Sequence, residues 1–394
     1  MAEAIETVES HLHPISSFDL DDHPMPNGRE EIWRFTPLKR LKGVLDDAPT
    51  ADVGDDEESY AATYDLVGPE EYFPGTLSPA EAPRGTALVP DDRASAVASK
   101  NTQHALHVKI PAETELSEPI GETVTALGGR RSNAHYVIEA GHHSKFTYVL
   151  DHRGSGVHAG NLEVIVGDSA DVTVVSIQDW DDDAVHVGTH EAVVGRDAHY
   201  RHVMITFGGN AVRVNANVHY DGPGGEAELF GVYFADAGQY IEHRLFVDHN
   251  EPRTKSNAVY KGALQGDGAH TVWVGNVLIR KVAEGIETFE TNRNLVLTDG
   301  CRADSVPNLE IETGDIKGAG HASATGRFDD EQLFYLQSRG VTADEARRLV
   351  VHGFFADIIR KIGVPEVEAR LMAAVERELA EYVGAPAASR EPVG

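Results

Sequence analysis

Val212–Tyr220 reads VRVNANVHY. Val212, Val214, Ala216 and Val218 fall on one side of an extended chain, and Arg213, Asn215, Asn217 and His219 on the other, because successive side chains of a strand point to opposite faces. One apolar and one polar side describe a strand that lines a core inwardly and is expected to meet solvent outwardly. Short β-branched runs of the same kind flank it at Val172–Ile177, Val193–Val194, His202–Phe207, Leu229–Phe234, Thr271–Ile279 and Leu295–Leu297. Glycines punctuate them at 167, 195, 224, 238, 266, 285 and 300, with gaps of 28, 29, 14, 28, 19 and 15 residues. Most of these gaps are close to 14 or to twice 14, although no residue-level motif repeats.

Strands and tight turns repeated without intervening helices have two main solutions, an antiparallel sandwich or barrel and a β-helix whose coils stack. Alternation and spacing suit both. The chain beyond Asp329 changes period. Asp329 or Asp330 can cap a helix that runs through Ser338 and stops at Gly340. Thr342–Glu345 has the form of a capping box for a second helix reaching Ile362. Gly363 and Pro365 break it, and a third helix is expected from Glu366 to Val383. The second of these, with Leu349, Val350, Val351, Phe354, Phe355, Ile358, Ile359 and Ile362, is apolar around much of its circumference. It must therefore be covered on more than one side.

Residues 1–95 are rich in proline and acid and read as a partly helical N-terminal region. Within them, Arg29–Leu41 holds a short helix that Pro37 ends, with Trp33 and Phe35 as packing anchors. Ala51–Tyr60 reads as a solvated acidic loop. The N-terminal MAEAIETVES has neither the basic nor the apolar region of a secretory signal. The tail from Gly384 is expected to be disordered.

Among 394 residues there are 34 lysines and arginines against 64 aspartates and glutamates, a net charge of −30. Such a surface repels phosphate backbones and anionic bilayers, and no window approaches a membrane span. The expectation is a cytoplasmic protein that binds neither nucleic acid nor membrane. Phosphate-loop, nucleophile-elbow and zinc-helix motifs are absent, and no catalysis is expected. A single cysteine, Cys301, rules out an internal disulfide and an all-thiolate cluster within one chain.

Twenty histidines are present, many of them between 135 and 270: His142, His143, His152, His158, His186, His190, His199, His202, His219, His243, His249 and His270. Neutral imidazole binds first-row metals. Without convergence in space, however, most are read as polar surface filling. His321 stands apart, in the glycine-rich stretch Gly314–Gly326 just before the helices, with Cys301, Glu310 and Glu312 upstream. Thiolate, imidazole and carboxylate are all iron ligands.

Pro307–Arg327, PNLEIETGDIKGAGHASATGR, and the FDDEQLFYLQSRGVTADEARRLVVHGFF that follows it resemble the C-terminal signature of the SufB/SufD family of the SUF iron–sulfur cluster assembly system. Arg29–Leu38, REEIWRFTPL, resembles the entry segment of the SufD branch. The resemblance implies a mainly β fold: a right-handed parallel β-helix over 96–325, with a small helical N-terminal part and a C-terminal helical domain over 326–394. It further implies a scaffold subunit that pairs through its β-helix with a SufB-type paralogue. A SufC-type ATPase would dock on the C-terminal helices through Arg347, Arg348, Phe354, Phe355, Ile358 and Ile359. A transient iron–sulfur cluster would be shared with the partner subunit at His321, with Cys301 as a secondary ligand. Lys317–His321 lacks the thiol that the family often carries there, and Asn292 stands near a SufB-type cysteine position. The second departure favours the SufD branch and speaks against a sulfur-acceptor role. The sequence leaves open whether a flavin takes part and whether the chain pairs with itself. Two rival readings are a stand-alone β-helix enzyme and a metal-binding β protein.

Overall fold

The computed structural model describes residues 15–51, 60–327, 330–361, 363 and 365–383. The N-terminal MAEAIETVES, most of the expected acidic loop (52–59) and the tail from Gly384 lie outside the described residues. The chain first forms β1 (Ala62–Val67), β2 (Gly75–Leu77), α1 (Arg93–Asn101) and β3 (Ala105–Ile110). Thirteen strands follow without a helix: β4 (Ile120–Ala140), β5 (Lys145–Val166), β6 (Asp171–Trp180), β7 (Val185–Gly195), β8 (His199–Phe207), β9 (Ala211–Asp221), β10 (Glu226–Ala235), β11 (Tyr240–His249), β12 (Lys255–Leu264), β13 (His270–Ile279), β14 (Glu287–Val296), β15 (Arg302–Ile311) and β16 (Gly318–Arg327). Helices α2 (Asp330–Ser338), α3 (Ala343–Ile359) and α4 (Pro365–Val383) close the chain.

From β5 onward each strand pairs in parallel with the second strand after it, so alternate strands build two walls of a parallel β-solenoid of about eight turns. One wall runs β7-β9-β11-β13-β15 and the other β6-β8-β10-β12-β14-β16. Along the second wall, registered residues Asp171, His199, Glu226, Lys255, Glu287 and Gly318 set each turn at 27 to 32 residues. A full turn therefore carries two strands about 14 residues apart, the spacing already visible in the glycines. The walls join at β5, whose first half pairs with β6 and whose second half pairs with β7. Gly154 makes that corner at φ +82, where an added Cβ would stand 2.3 Å from the Ala126 carbonyl oxygen. A left-handed residue this close to a neighbouring backbone has to be glycine.

The inward residues of β9, Val212, Val214, Ala216 and Val218, join one continuous core with Tyr148, Tyr200, Tyr220, Tyr233, Tyr260 and Trp273. The outward side of the same strand departs from expectation. Arg213, Asn215 and Asn217 are buried rather than solvated, because the N-terminal region lies across this wall. Trp33 and α1 pack on its outer face with Val157, Val185, Val187 and Tyr240. The Arg213 guanidinium sits 4.0 Å over the Trp33 ring and donates to Asp92 at 2.9 Å. The stretch around Trp33 forms two single 3₁₀ turns, Glu31–Trp33 and Leu38–Arg40, in place of the expected helix.

The outer face of the second wall is covered by α3 and α4. Val351, Phe355, Ile358, Leu371 and Val375 pack on Val175, Ile177, Val203, Ile205, Phe207, Phe230 and Phe234. Gly340, at φ +89, ends α2, and the Thr342 hydroxyl accepts from the Glu345 amide to cap α3. Pro365 opens α4, a position where its missing N–H costs nothing. Among the described residues no helix is long and apolar enough to cross a membrane.

Candidate functional site

The last turn of the solenoid is built unlike the others. Among the described residues β15 pairs only with β13 and β16 only with β14, so each leaves one edge without a neighbour there. Strand β14 alternates sharply: Thr288, Glu290, Asn292 and Asn294 are buried, while Phe289 is half exposed. The interior at this end is therefore polar. Tyr233 Oη donates to Asn294 Oδ1 at 2.7 Å and accepts from Asn292 Nδ2 at 2.8 Å. Asn294 Nδ2 donates to Asn292 Oδ1 at 2.8 Å. Beside them Glu290 has neither carboxylate oxygen partnered, and burial pushes its pKa up to about 8. A carboxyl so placed is mostly protonated at neutral pH, since ionisation in a low-dielectric interior is disfavoured.

His321 registers directly with Glu290, one turn further on, followed by Ser323 with Asn292 and Thr325 with Asn294. Parallel ladder partners share a face, so His321, Ser323 and Thr325 continue the polar inner face into the open turn. Ser323 donates across that turn to Ser305 of β15 at 2.8 Å. Among the described residues no further coil covers these, and His321 is exposed. The stretch read as a glycine-rich loop is thus the final strand. Gly318 and Gly320 lack the β-branched signature, and pairing with β14 supplies what propensity does not.

Cys301 precedes β15. Its thiol donates to the Gly266 carbonyl at 3.2 Å, lies 3.5 Å from Thr298 Oγ1, and has its pKa raised by burial. Held as a thiol, it is a poor ligand at neutral pH. Cys301, Glu310, Glu312 and His321 share one end of the solenoid. Yet the metal-capable group of three found among the described residues lies elsewhere, at His152, His158 and His186. These three, with His190, His202, His243 and His249, are buried in the solenoid interior, where surface positions were expected. An inward strand position carries no polar label of its own, and stacked turns let imidazoles satisfy one another. Ring contacts such as His190 to His202 at 5.2 Å between centroids are not visible along the chain. Only His142 and His143 of the twelve are exposed.

On the helices, Phe355, Ile358 and Ile359 are buried against the solenoid wall, so they are covered within the chain itself. Phe354 is half-buried, with Lys261 Nζ 5.1 Å above its ring. Arg347 and Arg348 are half-buried on α3, and Arg348 lies 3.6 Å from Glu376 of α4. Among the described residues the exposed large apolar side chains of the helical region are instead Phe334 (73%) and Tyr335 (54%) on α2 and Leu349 (54%) on α3.

Residues 123–354 match the family model described as the SUF system FeS cluster assembly, SufBD core domain. An iron-sulfur cluster assembly SufBD family protein of Mycobacterium bovis is 52% identical over 371 residues, covering 92% of each chain. The iron-sulfur cluster assembly protein SufD of Bacillus subtilis is 28% identical over 253 residues, 62% of this chain and 57% of that protein. A second SufBD family protein of Mycobacterium bovis is 28% identical over 233 residues, 59% of this chain and 27% of that longer protein.

Proposed function

This chain belongs to the SufBD family of iron–sulfur cluster assembly proteins, and from that premise we propose that it is a scaffold subunit without catalysis of its own, working in the cytoplasm. In this reading the open last turn is where a SufB-type paralogue docks, and His321 offers its imidazole to a nascent cluster shared between the two subunits. The observation that carries the reading is the exposure of β16 from His321 to Arg327 beside unpaired strand edges. An edge strand left open by a globular protein is a template for another chain. Glu290, uncharged at the register position beneath His321, adds no negative charge to repel sulfide there. The family match, the SufD relative and the longer paralogue support a SufB/SufD-type complex. For the ATPase, the exposed Phe334 and Tyr335 of α2 and Leu349 of α3 replace the buried trio Phe355, Ile358 and Ile359 as the docking surface. Arg347 and Arg348 directly precede Leu349 in sequence.

The test is co-expression with a SufB-type paralogue and a SufC-type ATPase, followed by light scattering and iron–sulfide reconstitution. A three-component complex is expected, and His321→Ala should lower cluster yield at unchanged complex mass. A lone monomer, or full cluster yield in that variant, would refute the scaffold role or the His321 role respectively. Phe334→Ala with Tyr335→Ala should release the ATPase while leaving the paralogue bound, and ATPase retained at full stoichiometry would remove α2 from the interface.

A further inference from the structure

His158 on β5 and His186 on β7 are registered ladder partners, as are Gly160 and Gly188 two residues on. His152, on the first half of β5, reaches them from the other wall. The three ring centroids lie 5.3, 4.9 and 5.1 Å apart, and one ring nitrogen from each lies within 4.8 Å of one from the other two. None of the three residues is more than 1% exposed.

An interior of this kind is ordinarily apolar, and a buried imidazole must find partners for both nitrogens. His249 does so: Nδ1 meets Thr254 Oγ1 at 2.8 Å and Nε2 meets Ser256 Oγ at 2.9 Å. The trio is held differently, by one nitrogen each. His152 Nδ1 faces the Ile177 carbonyl at 3.2 Å, which fixes its proton on Nδ1 and leaves a lone pair on Nε2. His158 Nδ1 meets Ser132 Oγ at 2.8 Å, and its Nε2 has no partner. Trp180 Nε1 donates to His186 Nδ1 at 3.1 Å. Donating one ring N–H to a backbone carbonyl, as His152 does to Ile177, is how proteins orient metal-binding histidines. Gly160 and Gly188 keep space open at the free nitrogens. A Cβ at either position would stand 2.9 Å from His158 Nε2 or 3.0 Å from His186 Nε2.

We propose that His152, His158 and His186 form a buried three-imidazole site for a divalent first-row transition ion. All three rings are neutral at physiological pH, because burial depresses their pKa values, that of His152 to about 4. No ring therefore has to lose a proton to solvent to offer a lone pair, although His186 must first shift its proton from Nε2 to Nδ1. Three nitrogen donors and no carboxylate select iron(II), cobalt(II), nickel(II), copper(II) or zinc(II) over calcium and magnesium. Ligand nitrogens around a tetrahedral ion at about 2.0–2.1 Å stand roughly 3.4 Å apart. The rings must therefore draw together by about 1.4 Å or less on binding. Because the Trp180 N–H holds the His186 proton on Nε2, ligation through that nitrogen moves the proton to Nδ1 and frees the indole. Trp180, with its ring 5.2 to 5.7 Å from all three imidazoles, becomes a reporter.

The experiment uses the full chain without a polyhistidine tag, expressed in cobalt-supplemented medium so that the buried site fills during folding. About one cobalt per chain is expected after gel filtration, with visible d–d absorption and quenched Trp180 fluorescence relative to zinc-loaded protein. His158→Gln and His186→Gln should each lower the cobalt content at least tenfold, while His249→Gln keeps it. Should both trio variants fail to fold, the difference between wild type and Trp180→Phe in metal-dependent quenching decides the matter. Wild-type protein free of cobalt, quenching unaltered by Trp180→Phe, or folded trio variants that retain the metal would overturn the site. His321→Ala should leave the cobalt content unchanged, which separates this site from the cluster role proposed above, and a loss there would move the metal to the solenoid mouth and overturn the assignment.

Discussion

The two outer walls of the solenoid are both covered, but by opposite chemistry. The N-terminal cover is held by buried charge. Asp92, Arg213 and Glu242 are each 3% exposed or less, and the Glu242 carboxylate also accepts from Thr36 Oγ1 at 2.6 Å and Tyr240 Oη at 2.8 Å. A second carboxylate, Glu163, accepts from the backbone amides of Gly85, Ala87 and Leu88 between 2.8 and 3.1 Å. The C-terminal cover is held chiefly by apolar area, with ion pairs beside it, where Arg370 bridges Asp151 and Asp179 and Lys261 reaches Asp357. In the N-terminal cover Trp33, Leu41, Val44 and Leu45 pack as well, yet irregular backbone presents no continuous apolar face. It is positioned by specific acceptors, whereas amphipathic helices dock chiefly by area. The first cover is expected to be sensitive to single polar changes, and the second to lost volume.

Arg213→Ala should have the largest effect. It leaves Asp92 buried without its counter-charge, while Glu242 keeps Arg244 at 3.1 Å, a change that costs about 3–5 kcal/mol. Urea denaturation would register it, and proteolysis should then cut within residues 15–51 before the solenoid. A loss below about 1 kcal/mol would show that the cover is held by Trp33 packing alone. Phe355→Ala comes next, at about 3 kcal/mol from the cavity it opens. Its cost should not change with salt, and α3 and α4 should become protease-sensitive while the strands stay protected. A salt-dependent cost would blur the contrast between the covers. Arg370→Ala should cost only about 1 kcal/mol, because Arg153 remains 2.6 Å from Asp151 and the site is partly solvated. Its effect should shrink in 1 M salt, where the Debye length is about 3 Å.

The walls were legible where the chemistry is local. The alternation of Val212–Tyr220 and the glycine spacing gave strand and turn length, and Gly340, Thr342 and Pro365 marked the helix ends. The covers were not legible, because nothing near Arg213 in sequence signals that Asp92 and Trp33 will shield it. Strand β5 was missed for a related reason. His152, His158 and Asn161 break its apolar pattern, yet all three are buried, since a solenoid lets each turn satisfy the next. The exposed end bearing His321 followed from family likeness rather than from pattern. A strand of glycine, alanine and serine is recognisable only beside the strand it pairs with.

The smallest effect is expected at His199, on the outer face of the helix-covered wall. Its Nδ1 lies 3.1 Å from Asp171 and its Nε2 3.1 Å from Glu228, which Arg201 also holds. Hydrogen bonds to the two carboxylates raise the His199 pKa to about 9, and His199 in turn holds Asp171 and Glu228 near about 2. A histidine whose pKa is raised on folding contributes stability that is complete below its unfolded value of about 6.5 and is lost as pH climbs through 9. The carboxylates contribute above about 4 and lose that contribution as pH falls through 2. The pairing is therefore worth most between about pH 4.5 and 6.5. The melting temperature of wild type should exceed that of His199→Asn by its widest margin in this window. The margin should narrow steadily toward pH 9, and the same comparison on Phe355→Ala should stay flat across that range. A constant His199 margin would mean that the ring acts there as a neutral spacer, and that this wall, rim included, is held without charge.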